Sequence, residues 1–101
     1  MIVFGIDPGT IESAFVFWNG KEVYAHATVP NDVMLAQYVT GAHQLADVMA
    51  LEKIESFGMP VGKETFRTVF WSGRFAQAWT PKRFEEVTRR EVKLHICGHA
   101  R

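Results

Sequence analysis

Two turn signals near the N-terminus constrain this chain more than any other feature. Met1 to Ile6 is a short apolar, β-rich run, and it stops at Asp7-Pro8-Gly9, where the backbone must turn. Ser13 to Trp18 is a second such run, and it stops at Asn19-Gly20. Asn-Gly is a strong hairpin signal because both residues tolerate positive φ. Lys21 to Val29 is then the returning strand. Consecutive strands joined by tight turns must lie side by side and antiparallel, so the chain is expected to open with an antiparallel meander.

The pattern changes after Pro30-Asn31-Asp32, which breaks the sheet and offers a helix cap. Val33, Met34, Tyr38 and Leu45 fit the apolar side of a helix from about Asp32 to Gln44, with Gly41 weakening its middle. Asp47 to Ile54 reads as another strand, and Gly58 to Gly62 as a loop. Lys63 to Trp79 has a helical rhythm in Phe66, Val69, Phe70, Phe75 and Trp79, ended by Pro81. Phe84 to Val87 suits one more strand. Thr88-x-x-Glu91 is a capping box for a last helix, Arg89 to Cys97. The expected order is β-β-β-α-β-α-β-α, an α/β fold with a mixed sheet in one domain over residues 1–101.

Composition excludes several classes. The formal net charge is +0, so there is no polybasic tail, although Lys and Arg outnumber Glu between Lys82 and Arg101. The chain has Cys 1, so no internal disulfide can form, and a reducing, cytoplasmic setting is expected. No apolar run is long enough for a membrane helix, and no membrane partner is expected.

Asp7 ends an apolar strand, and in open α/β sheets ligands gather beyond the carboxyl ends of strands. Asp-Pro-Gly is also an ordinary turn sequence. Glu52 lies near the end of the strand expected to be central, where a charge is costly unless paired or metal-bound. Its ordinary alternative is a strand end reaching water beside Lys53. Glu55 is a further possible metal ligand, although it would face the other way if the strand continued. Two carboxylates on neighbouring strand ends suit Mg²⁺ or Mn²⁺, hard cations that take oxygen ligands and complete their shells with water and phosphate. A pair of such ions about 4 Å apart supports phosphodiester hydrolysis.

Ile6-Asp7-Pro8-Gly9-Thr10 resembles the opening motif of the RuvC-type Holliday-junction resolvases, and Ala50-Leu51-Glu52-Lys53 resembles their second strand-end acid. Glu91-Val92-Lys93 with Cys97-Gly98 is similar to the family's later basic helix. Glu55 to Phe66, with Met59-Pro60-Val61-Gly62-Lys63, is similar to a phage-borne branch. The resemblance spans nearly the whole chain. It implies an RNase H-like fold and a metal-dependent endonuclease that acts on branched DNA, typically as a homodimer. Asp7 and Glu52 would be its catalytic and metal-binding acids. A C-terminal helix bearing one or two Asp completes the site in that family. The sequence ends at Arg101 with no Asp at the corresponding place, so the domain is expected to be C-terminally truncated and its metal site to lack a ligand.

Lys63, Arg67, Arg89, Arg90 and Lys93 are the candidates for phosphate contact, each also readable as a solvated helix face. Phe57 and Met59 could wedge into a junction or simply close their loop. Phe66, Phe70 and Trp71 give the long helix more apolar width than one sheet face needs, which suits a homodimer. His95-x-Cys97-x-His99 suggests zinc, but no second ligand pair accompanies it. A catalytically incomplete binding protein of the same fold is the alternative function. An actin-like ATP-binding fragment is a further one, which the chain is too short to satisfy with two lobes.

Overall fold

Strand β1 (Val3–Asp7) lies at the middle of a five-stranded sheet in the order β3-β2-β1-β4-β5. The computed structural model describes residues 1–55, 58 and 61–88. The expected helix Arg89 to Cys97, with Arg89, Arg90 and Lys93, lies outside the described residues, as do Phe57 and Met59. Strand β2 (Glu12–Trp18) pairs antiparallel with β1, and β3 (Val23–Pro30) antiparallel with β2. Strands β4 (Val48–Glu52) and β5 (Phe84–Val87) extend the other side in parallel, β4 beside β1 and β5 beside β4. The sheet is mixed, as the order of turn and helix signals requires.

The Asn19-Gly20 turn works as its chemistry predicts. Asn19 Oδ1 accepts from the N–H groups of Lys21 and Glu22, each at 2.8 Å, and Gly20 takes a φ of 98°. The return strand therefore starts at Val23 rather than Lys21, because Lys21 and Glu22 are spent on the turn.

One face of the sheet carries the core. Phe4 and Ile6 from β1, Phe15 from β2, and Met49 and Leu51 from β4 alternate onto it. Phe4 is fully buried, with ring centroids at 4.9 Å from Phe17, 5.8 Å from Phe15 and 6.0 Å from Trp79. Helix α3 (Lys63–Trp79) contributes Phe75 and Trp79, both 0% exposed. The Trp79 indole N–H, buried with its ring, donates to Arg83 O at 2.8 Å. Phe66 and Phe70 lie on the opposite side of α3 and are 66% and 56% exposed, while Trp71 packs partly against the core.

The helix between β3 and β4 is continuous over residues 31–45 but not uniform. Its ends are α-helical, α1 (Asn31–Val33) and α2 (Thr40–Leu45), and Met34–Val39 between them is π-helical. The wider turn moves the buried stripe. Met34, Val39, Ala42 and Ala46 are buried, whereas Leu45 is 68% exposed. The expectation that Leu45 belongs to the buried side is corrected here. It assumed the α-helical period throughout, and a step of five residues from Met34 to Val39 breaks that phase. The expected side-chain cap is corrected as well. Pro30 occupies the N-cap position without a capping side chain, and the Asn31 side chain is directed elsewhere.

Candidate active site

Asp7 and Glu52 are the last residues of β1 and β4. These strands are parallel neighbours, and their register pairs Val3 with Val48, Gly5 with Ala50 and Ile6 with Leu51. One step further, Asp7 stands opposite Glu52. With a two-residue repeat, both side chains leave the sheet on the face away from the described helices. There they border a groove lined also by Gly5, Ala14, Val16, Trp18, Ala50 and Val87. Asp7 is exposed and Glu52 is 9% exposed, so one acid meets solvent while the other lies within the groove wall. Glu55 is an exposed residue beyond the end of β4, and the strand does not carry it to this face.

The turn after Asp7 is tightly held. A Cβ on Gly9 would lie 2.1 Å from Glu12 O, so only glycine fits there. Gly9 N–H donates to Ser13 Oγ at 3.1 Å, and Asn31 Nδ2 donates to Gly9 O at 2.9 Å. Ser13 Oγ in turn donates to Asn31 Oδ1 at 2.5 Å. Asn31 N–H also donates to Ile11 O at 2.9 Å. On the helix side, Thr10 Oγ1 lies 3.0 Å from Thr68 Oγ1 and 3.2 Å from Glu64 O, which ties the turn to the first turns of α3. Lys63 and Arg67 are exposed on that same part of α3, one helical turn apart.

Ser13, Asn31 and Thr68 were not singled out from the sequence. The signal for Ser13 is present nevertheless. It shares the β2 face of Phe15 and Phe17, and a hydroxyl on a core face needs a buried partner.

Among the described residues, no group of three or more His, Cys, Asp or Glu could together hold a metal ion. Asp7 and Glu52 are two carboxylates at neighbouring strand ends. Their chemistry fits Mg²⁺ or Mn²⁺, which accept hard oxygen donors and need only one or two protein carboxylates beside water and phosphate.

No known protein family matches the chain, and no curated protein matches it in sequence. Solved structures do match it in three dimensions, among them two of Thermus thermophilus RuvC. The structure of Thermus thermophilus RuvC superposes with a TM-score of 0.72 and 17% identity, covering 98% of this chain and 70% of that one. Thermus thermophilus RuvC in complex with a Holliday junction substrate gives 0.75 at 14% identity, covering 92% of this chain and 69% of that one. The fold is RuvC-like. The mixed five-stranded sheet with its helices is the α/β architecture expected from the strand order, and it matches the RNase H-like fold that the motif resemblance implies. In this RuvC-like frame β1 and β4 are central and adjacent, so their carboxyl ends form one edge of the groove.

Proposed function

We propose that this chain is a RuvC-like endonuclease that binds branched DNA and hydrolyses its phosphodiester bonds with Mg²⁺ or Mn²⁺ held by Asp7 and Glu52. The observation that carries this reading is the matched register of the two acids at adjacent parallel strand ends, both facing one groove. The fold-level likeness to RuvC, one structure of which holds a Holliday junction substrate, supports the choice of branched DNA. A bound divalent cation supplies an activated water and neutralises charge on the phosphate. The chain's part is to present two carboxylates from adjacent strand ends and to hold the Gly9 turn, where Glu12 O fills the space that a side chain would need. Lys63 and Arg67 contribute phosphate contacts beside that turn. The protein works as a homodimer through the exposed apolar side of α3, in a cytoplasmic compartment where Cys97 stays reduced.

A second reading is that the chain binds branched DNA without cutting it. The absence, among the described residues, of any cluster of three metal-binding groups favours it, because a second ion would be poorly held. One experiment separates the two. A labelled four-way junction is assayed for binding in Ca²⁺ and for nicking in Mn²⁺, with the wild-type chain and with Asp7→Asn. Nicking that needs Asp7 establishes the nuclease. Binding without nicking establishes the second reading. No binding to any DNA at low salt removes both.

A further inference from the structure

Beneath the proposed metal site lie two buried polar side chains that the reaction does not use. Ser13 is 1% exposed and Asn31 is 2% exposed, and among the described residues their side chains hydrogen-bond to each other and to Gly9. We propose that Ser13 and Asn31 are positioning residues, which fix the turn at Gly9 and thereby the Asp7 carboxylate opposite Glu52. This assignment rests on the metal-site reading above.

The argument starts from glycine. Gly9 has the largest conformational freedom of any residue in the turn. No side chain can restrain it, because a Cβ would collide with Glu12 O at 2.1 Å. Its conformation must be held through its own N–H and C=O. Ser13 Oγ takes the first and Asn31 Nδ2 the second, so φ and ψ are restrained from both sides of one Cα. Asn31 also holds Ile11 O through its backbone N–H, so one residue pins the turn at two points. Asn is the residue type that does this. Oδ1 accepts from Ser13 while Nδ2 donates to Gly9, and a carboxylate of the same size lacks the donor.

A purely space-filling role would not need this chemistry. An apolar pair of similar volume could fill the site without leaving polar groups to satisfy. It could not address both backbone groups of Gly9. Asp7 lies only two residues upstream, at the last paired position of β1 against Ala14. Freedom at Gly9 is therefore freedom at the end of the strand that carries the carboxylate.

The test compares Asn31→Ala, Ser13→Ala and Ser13→Thr, with Val39→Ala as a control that loses core packing far from the turn. Two quantities are measured well below each thermal midpoint: the Asp7 Hα–Hβ couplings without metal, and Mn²⁺ affinity by calorimetry. Wild type and Ser13→Thr should show one Asp7 rotamer and equal affinity. Asn31→Ala and the milder Ser13→Ala should show averaged couplings and Mn²⁺ binding about tenfold weaker. Val39→Ala should be less stable yet unchanged in both. Unaltered couplings in both alanine variants at the clamp, or the same averaging in Val39→Ala, would overturn the proposal. So would wild-type Mn²⁺ affinity in Asn31→Ala. If the wild-type chain binds no Mn²⁺, or Asp7→Asn binds it equally well, the metal reading has failed, and the couplings alone still decide the clamp.

Discussion

Asp7 and Glu52 end adjacent parallel strands at the same height, one step past the Ile6–Leu51 pair. Both acids border the groove on the sheet face away from the described helices. Like charges directly opposite each other on neighbouring strands are destabilising. A cation between them reverses that sign, so metal and stability are coupled.

The first prediction follows directly. Without metal, Asp7→Asn should leave the thermal midpoint unchanged or raise it. With Mn²⁺, wild type should gain stability while Asp7→Asn and Glu52→Gln should not. Calorimetric Mn²⁺ affinity should fall at least about tenfold, or 1.4 kcal/mol, in each. Equal stabilisation of wild type and Asp7→Asn by Mn²⁺ would place the ion elsewhere.

Gly9→Ala is a steric test of the same turn. The added methyl would sit 2.1 Å from Glu12 O, a backbone atom that cannot rotate away. Overpacking of this kind costs about 1–3 kcal/mol. Denaturant titration should show that loss, with metal binding weakened in parallel. Near-wild-type behaviour in both would mean that the turn can open without cost.

Much of the architecture was legible in the sequence for identifiable reasons. Asp7-Pro8-Gly9 and Asn19-Gly20 are turns whose chemistry is local, so the meander could be read without knowing its neighbours. The parallel placement of β4 beside β1 follows once a helix intervenes. The π-helical turn over Met34–Val39 was not legible, because no residue type marks it and only packing reveals the shifted stripe. The cap expected from Pro30-Asn31-Asp32 does not form, because partners distant in sequence, Gly9 and Ser13, take the Asn31 side chain. Asp7 and Glu52 could be picked out as strand-end acids, and their shared face needed the register.

That shifted stripe yields a stability contrast. Met34 is 0% exposed and Leu45 is 68% exposed. Met34→Ala should cost about 2–5 kcal/mol through lost burial and a cavity. Leu45→Ala should stay within roughly 0.5 kcal/mol. A regular α-helix over residues 31–45 would reduce this contrast. Comparable losses at both sites in urea titrations would show that the π-helical turn is not kept in solution.

The outer side of α3 carries Phe66 at 66%, Val69 at 49% and Phe70 at 56% exposure. If this side is a dimer contact, light scattering should give twice the chain mass at micromolar concentration. Phe66→Glu with Phe70→Glu should return a monomer of unchanged thermal stability per chain. A wild-type monomer at high concentration would remove the dimer proposal and leave these rings free for another partner.

The last prediction concerns DNA, where charge and chemistry can be told apart. Lys63 and Arg67 are exposed one turn apart on α3, and Glu64 between them accepts from Thr10 only through its backbone carbonyl. Each cation that meets a phosphate releases a counterion, so the slope of log affinity against log salt falls by about 0.9 per contact on duplex arms. Lys63→Ala and Arg67→Ala should each flatten the slope by roughly 1 and weaken binding to all DNA forms alike. Asp7→Asn should leave that slope as it is in Ca²⁺-free buffer, because a carboxylate makes no phosphate contact without metal. The measurement is a junction and a linear duplex titrated over a salt series with all four proteins. Slopes that fall for Lys63 and Arg67 but not for Asp7 would put α3 against the backbone and the acids at the chemistry. An unchanged slope in Lys63→Ala and Arg67→Ala would move the DNA path off α3 altogether.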